Sequence, residues 1–403
     1  RSSFLCTRNF RCRIMWKFAA ALVAAALMPC RGQQCLTAAS PPPDEEGPLS
    51  SSCLMQKSFL HSAVTLPGKL PKPYRSAVAI LKRFKELSAN GNCKVPFSTR
   101  WVHDQTKKDG RLFVAALGSS NATKRVLIVA NEHAREAITA EVALRFAEWS
   151  CHGSEEAVRL FSEVRFTVVP VANLAGRRVI DSGEDPCQRA TVDEGEGIVD
   201  LNRNMDVDFK LASDHGTAPF STYQARILRS LAESERPVAY VDLHSGARSL
   251  MVSWGAREAT SKDFPDQRRL LEVVKKAHCP DCAIGSNMKV IGYQNPGEIL
   301  DHMYAVQGIK YSTLWEVYEG DDTNSCSSYF NPPVALFEKT VEDWSGALRA
   351  FGRLVRETVE SDERSSESWT QRALGLSQVT EESARGHVTG AKSPGAVLKD
   401  FLT

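Results

Sequence analysis

The chain has 403 residues, 42% of them hydrophobic and 24% charged, the balance of a globular protein long enough to bury a sizeable core. The formal net charge is +2 and no basic block is interleaved with aromatics, so nothing favours nucleic acid, which needs a concentrated positive surface.

Residues 1–35 read as a leader region. The first residue is Arg1, but Met15 is the better start, followed by Trp16, Lys17 and an apolar run over residues 18–28. That run is too short to span a bilayer and has the length and flank of a secretory h-region. The arginines before Met15 leave a mitochondrial presequence as the alternative. No later apolar run is long enough for a stable membrane span. Of the 11 cysteines, Cys6, Cys12 and Cys30 fall in the leader. The even remainder (Cys35, Cys53, Cys93, Cys151, Cys187, Cys279, Cys282 and Cys326) suits disulfides in an oxidising compartment, with the pairing left open. Asn121-Ala122-Thr123 is a glycosylation sequon in a polar turn, which favours secretion a little further.

Residues 36–73, with Pro41-Pro42-Pro43 and Pro67-Gly68, read as a disordered linker or short pro-segment. Residues 74–356 carry a globular pattern. The Ser- and Glu-rich stretch over 357–403 reads as a flexible polar tail. Within the globular part, apolar runs at 112–117, 125–130, 165–171, 239–243 and 311–317 predict strands. Helical spacing predicts helices at 138–149, 223–234, 268–277 and 334–354. This alternation implies an α/β fold, a mixed, mostly parallel sheet with helices on both faces. Ligands of such sheets bind beyond the carboxyl ends of the strands.

Three of these strands end in residues able to hold a metal or move a proton. The run at 125–130 leads into Asn131-Glu132-His133-Ala134-Arg135-Glu136, and the run at 239–243, which includes Asp242, leads into His244-Ser245-Gly246. The last strand carries Glu316, a carboxylate in the apolar sequence Leu314-Trp315-Glu316-Val317, costly unless it is paired or exposed at a strand end. Two histidines and a carboxylate are a known catalytic zinc set that leaves a fourth position for water. The His133-x-x-Glu136 spacing is weak alone, because it recurs at His152-Gly153-Ser154-Glu155. Position separates the two, since His133 ends a strand and precedes a helix while His152 lies in a polar stretch. Cys279-Pro280-Asp281-Cys282 has no second C-x-x-C to complete a zinc site, which favours a disulfide or two separately paired cysteines.

Residues 131–136 resemble the His-x-Arg-Glu zinc motif of the pancreatic-type metallocarboxypeptidases. Val199-Asp200-Leu201-Asn202-Arg203-Asn204 is similar to that family's substrate-carboxylate motif, and Val241-Asp242-Leu243-His244-Ser245 to the strand bearing its third ligand. Ile291-Gly292-Tyr293-Gln294 and Tyr311-Ser312-Thr313-Leu314-Trp315-Glu316 resemble the segments of its mobile tyrosine and catalytic glutamate. The motifs stand in the family's order over about residues 74–356. The resemblance implies one zinc ion per chain on His133, Glu136 and His244, with Asp200 orienting His133. It implies Glu316 as general base to a zinc-activated water and Arg189 as stabiliser of the oxyanion, a place for which Arg177 or Arg178 could compete. Asn202, Arg203 and Tyr293 would hold the α-carboxylate of a peptide or protein C-terminus, with Arg135 along the approach. The chain is expected to act as a secreted monomer.

Several features depart from the family: Asn173-Leu174-Ala175-Gly176 replaces an Asn-Pro-Asp-Gly turn, His302 replaces an aromatic after Asp301, and Trp315 is bulky. Residues 36–73 cannot form the family's globular pro-domain, so activity is expected to be constitutive or to follow removal of a short segment. The position that sets side-chain preference falls near Leu300, which implies an apolar C-terminal residue. Glu298, two residues away, favours Lys or Arg if it points inward. The alternatives are an inactive peptide-binding protein on the same fold, which would have lost Glu316 or a ligand, and a zinc amidohydrolase or deacylase, which would not need the carboxylate clamp.

Overall fold

The run at residues 125–130 forms the middle of an eight-stranded mixed sheet. The computed structural model describes residues 69–373 apart from 90, 92 and 194, with side chains to residue 357 except 193. The expected leader, the linker up to residue 68 and the tail beyond residue 373 lie outside the described residues.

The chain enters through helix α1 (Ala77–Ala89), strands β1 (Phe97–His103), β2 (Arg111–Leu117) and β3 (Lys124–Ala130), and helices α2 (Ala137–His152) and α3 (Glu155–Glu163). Next come strand β4 (Val164–Val169), helix α4 (Leu174–Ser182), a small ribbon of β5 (Thr191–Asp193) and β6 (Gly197–Val199), and a 3-10 turn at Leu201–Arg203. Helix α5 (Tyr223–Glu235) precedes β7 (Ala239–His244), β8 (Ala247–Val252), α6 (Phe264–His278) and β9 (Ala283–Ser286). The chain continues through α7 (Asn287–Ile291), α8 (Ile299–Ala305), β10 (Tyr311–Tyr318), α9 (Cys326–Phe330) and α10 (Val334–Ala373).

The sheet order is β1-β2-β4-β3-β7-β10-β8-β9. The centre, β4-β3-β7-β10, is parallel, while β1 and β2 form an antiparallel hairpin at one edge and β8 runs antiparallel to β10 near the other. All the expected strands and helices are present, each within a few residues of its expected bounds except α6 and α10. Strands β1, β8 and β9 of this sheet and the β5–β6 ribbon are additional. The expected end of the globular region at residue 356 is passed by α10, which runs on to Ala373. Residues 357–373 contain neither Gly nor Pro, the strongest helix breakers, and the first one beyond them is Gly375.

Because side chains alternate along a strand, the sheet feeds two apolar layers. Val126, Ile128 and Ala130 of β3 and Val241 and Leu243 of β7 pack under α1, α2, α3, α6 and α10. Leu127 and Val129 of β3, Tyr240 of β7 and Leu314 of β10 face the other way, toward α5 and α8. Asp242, His244 and Glu316 have the parity of this second face. Among the described residues, three disulfides tie loops and helices to the frame: Cys93–Cys151, Cys187–Cys326 and Cys279–Cys282. Among the described residues, no helix is long and apolar enough to cross a membrane.

Candidate active site

Register brings the chemistry together. In the central parallel strands, Ala130 of β3 lies beside Leu243, and His244 lies beside Glu316 of β10. The chain leaves β3 through Asn131, whose positive φ of 53° is a left-handed conformation that Asn tolerates better than most side chains. Asn131 Nδ2 then donates to the carbonyls of His133, Ala134 and Glu136, tying down the turn that carries two of the expected ligands. Glu136 is the N-cap of α2 but makes no side-chain cap bond, so its carboxylate is available to the site. Asn331 substitutes from across the fold, accepting from Ile138 N at 3.0 Å and donating to the Arg135 carbonyl at 2.8 Å.

His133 Nδ1 lies 2.7 Å from Glu136 Oε1, and His244 Nδ1 lies 3.0 Å from His133 Nδ1 and 3.1 Å from Glu136 Oε2. All three side chains are buried. On their outer sides, His133 Nε2 faces Asp200 Oδ1 at 3.2 Å and His244 Nε2 faces Asp242 Oδ1 at 3.3 Å. These carboxylates assign the Nε2 atoms as the protonated ones, which points two Nδ1 lone pairs and a carboxylate at a single spot. Such a set repels itself unless a cation lies between, and it fits a zinc ion with three protein ligands. Without the metal an extra proton can serve. Burial opposes an imidazolium at His244, but Asp242 and Glu136 outweigh it and push its pKa well above the usual histidine range. The twin spacing at His152 and Glu155 lies exposed at a helix junction, with no second histidine beside it.

Asp200 shows how much one residue can hold. Its Oδ1 caps the 3-10 turn by accepting from Asn202 N at 3.0 Å, and its Oδ2 accepts from Arg189 Nε at 2.8 Å. Arg189 therefore stands at the metal ligands, with Nη1 3.2 Å from His133 Nδ1. The competing Arg177 is fully buried elsewhere, bound to Asp181, Asn131 and the Arg75 carbonyl. Arg135 stacks over the Phe330 ring at 4.0 Å. Burial, with Arg189 nearby, lowers its pKa to about 10.

Asn202 Oδ1 accepts from Ile299 N at 3.0 Å, which leaves its Nδ2 group for a ligand. Arg203 is anchored through its Nη atoms to the Asn202 carbonyl and Asn295 Oδ1. A guanidinium has five N–H donors, so others remain for a ligand carboxylate. Burial raises the Tyr293 phenol, against the pull of Arg189 and Arg203, so the tyrosine lies in electrostatic range of both arginines. Leu300 is fully buried in the apolar layer with Met303 and Leu314. Burial pushes the Glu316 carboxyl up to about 8, Glu136 adds to this, and Oε2 has no partner.

Sequence reasoning gave Glu132, Asp242, Asn131 and Asn331 no role here. Asp242 had a readable signal, since Tyr240, Asp242 and His244 occupy alternate positions of one strand and so share a face. The other three depend on turns and cross-chain packing.

Comparison with known proteins follows the same lines. The zinc carboxypeptidase (M14 peptidase) family model matches residues 102–345. Thrombin-activatable fibrinolysis inhibitor is similar in structure, with TM-score 0.60 and 20% identity over 70% of this chain and 75% of that one. The bovine form, solved with a tick carboxypeptidase inhibitor, gives TM-score 0.60 and 20% identity over 71% of this chain and 98% of that one. Carboxypeptidase A from Helicoverpa armigera gives TM-score 0.60 and 17% identity over 76% and 79%. At these identities the likeness in structure speaks for the fold, and the family model for descent: the chain belongs to the zinc carboxypeptidase family.

Proposed function

We propose that this protein is an active, secreted, zinc-dependent carboxypeptidase that removes the last residue of peptides or proteins. The observation that carries the reading is that the metal-ligand cluster and the Asn202–Arg203 clamp are joined through one residue, Asp200, close to Glu316, whose Oε2 has no partner. Zinc on His133, Glu136 and His244 would supply a Lewis acid that polarises the scissile carbonyl and acidifies water. Arg203 and the Asn202 amide bind the terminal carboxylate, with the Tyr293 hydroxyl closing over it. Glu316 takes a proton from the attacking water and delivers it to the leaving amine. Arg189 offers charge to the developing oxyanion. The three disulfides fit an oxidising compartment, and exposed Asn121 in the turn between β2 and β3 is open to glycosylation.

The test is release of free C-terminal amino acid by the zinc-loaded chain, with and without chelator, compared with Glu316→Gln. We expect chelator sensitivity and a loss of roughly 10²–10⁴-fold in kcat for the variant. Equal turnover by both proteins defeats the reading of Glu316. Zinc-independent release, or none at all from the loaded wild type, defeats the whole assignment.

A further inference from the structure

Behind the expected zinc ligands lies a second set of donors. Glu132 follows the end of β3, one residue before His133, and Asp242 stands on β7, two residues before His244. The two strands pair in parallel, so both acids arrive at the same end of the sheet. One donor atom each of Glu132, Asp242 and His244 lie within 4.8 Å of one another, and all three residues are buried.

This group is set apart by what it lacks. Both oxygens of Glu132 and both of Asp242 are sealed from solvent without a hydrogen bond. Their nearest ionisable neighbour is His244, whose Nε2 lies 3.3 Å from Asp242 Oδ1 and 3.7 Å from Glu132 Oε2. A further donor points the same way. The Tyr240 hydroxyl, fully buried and also without a hydrogen bond, lies against Asp242 on the same face of β7. Glu298, with an unpartnered oxygen of its own, stands in electrostatic range of Asp242.

His244 does not balance two carboxylates. With Nδ1 on a metal its imidazole is neutral and offers one N–H, which Asp242 Oδ1 is placed to take. A single proton shared between Glu132 and Asp242 removes one negative charge and leaves the other buried, whereas a divalent cation removes both. Atoms that touch one calcium ion, each at roughly 2.3–2.6 Å, stand at most about 5 Å apart, which the cluster satisfies. An all-oxygen donor set selects a hard ion over zinc. Magnesium gives up its water shell reluctantly, which disfavours it among donors sealed from solvent, while calcium takes carboxylates in flexible geometry.

We propose that Glu132 and Asp242, with the Tyr240 hydroxyl, hold a calcium ion behind the zinc centre. The ion would tie the turn after β3 to β7, the two segments that carry His133, Glu136 and His244. The proposal goes beyond the peptidase reading and rests on it only for zinc at His244 Nδ1.

The experiment equilibrates the zinc-loaded full chain with calcium and measures both metals by plasma emission, then titrates calcium against bound terbium, followed by protein-sensitised luminescence. Wild type should hold one calcium per chain besides its zinc, and calcium should displace the terbium. Glu132→Gln should weaken calcium by more than roughly 10²-fold and leave zinc content unchanged, because it removes one of two charged ligands. Tyr240→Phe removes only a neutral donor and gives a second reading, with a loss of roughly tenfold, should Glu132→Gln fail to fold. Zinc-loaded wild type that takes up no calcium at roughly millimolar concentration overturns the proposal, as does a second zinc in its place. Calcium binding that neither variant weakens overturns it too, since the ion then lies elsewhere. Zinc below one per chain would count against the zinc assignment alone, because calcium is scored separately.

Discussion

Around the rim of the sheet, three buried or half-buried carboxylates are each held by an arginine. Glu141 accepts from Arg75 at 2.5 Å, Asp181 from the buried Arg177 at 2.9 Å, and Asp104 from Arg226 at 2.9 Å. At the carboxyl ends of β3, β7 and β10 the carboxylates are as deep or deeper, yet Glu132 and Asp242 receive no hydrogen bond from any arginine or lysine among the described residues. One oxygen each of Glu298 and Glu316 is left without a partner. Burying a carboxylate costs several kcal/mol unless it is paired, so the rim has settled that cost within the protein and the centre has not. The difference separates residues that hold the frame from residues whose charge the described residues leave uncompensated. It makes opposite demands on mutation: rim carboxylates and their partners should govern stability, and central ones metal affinity and turnover.

The largest effect on stability should come from Arg177. Its guanidinium is fully buried and bridges Asp181, Asn131 and the Arg75 carbonyl, so it ties α4 to the turn carrying His133. Arg177→Met leaves Asp181 and Asn131 short of a donor and should cost about 3–5 kcal/mol in urea-induced unfolding. A loss under about 1 kcal/mol would show that the buried Arg177 pairing contributes little to the rim's stability.

A smaller effect, and one confined to the centre, is expected for the carboxylates that orient the histidines. Asp200→Asn and Asp242→Asn should each weaken zinc binding by roughly 10–100-fold, read by chelator competition. Asp200 should be the more damaging, because it also caps Asn202 and fixes Arg189. If Asp242→Asn leaves zinc affinity unchanged, its contact with His244 is incidental to zinc binding.

The frame was legible in the sequence where one physical signal dominated. Residues 125–130 are an apolar run buried on both faces, so β3 could be read directly. Strand β1 could not: Phe97–His103 is a half-exposed edge strand with polar residues interleaved, and its identity comes from pairing with β2. The site divides in the same way. His133, Glu136, Asp200, Arg203, His244 and Glu316 stand in motifs whose order survives in the chain. Glu132 is a neighbour of His133 in sequence, but its relation to His244, 3.7 Å away, exists only once β3 and β7 pair. Glu298 could be suspected from its place near Leu300, yet whether it pointed inward depended on Asn202 taking the amide that Glu298 would otherwise cap.

The smallest predicted effect tests the rim through pH. Burial alone would raise the Asp104 carboxyl, but bonds from Arg226, Thr106 and the Lys107 amide outweigh it and hold the pKa at about 2. A carboxylate whose folded pKa lies below its unfolded value of 3.8 stabilises the fold fully above that value, and loses the contribution as pH falls through about 2. The shift corresponds to at most about 2–3 kcal/mol, and the partly exposed Arg226 puts the true figure below that ceiling. Asp104→Asn should therefore be less stable than wild type at pH 6, and the gap should narrow steadily between pH 4 and pH 2. A gap that stays constant over that window would mean Asp104 contributes through packing rather than charge, and would take it out of the paired population against which the central carboxylates are contrasted.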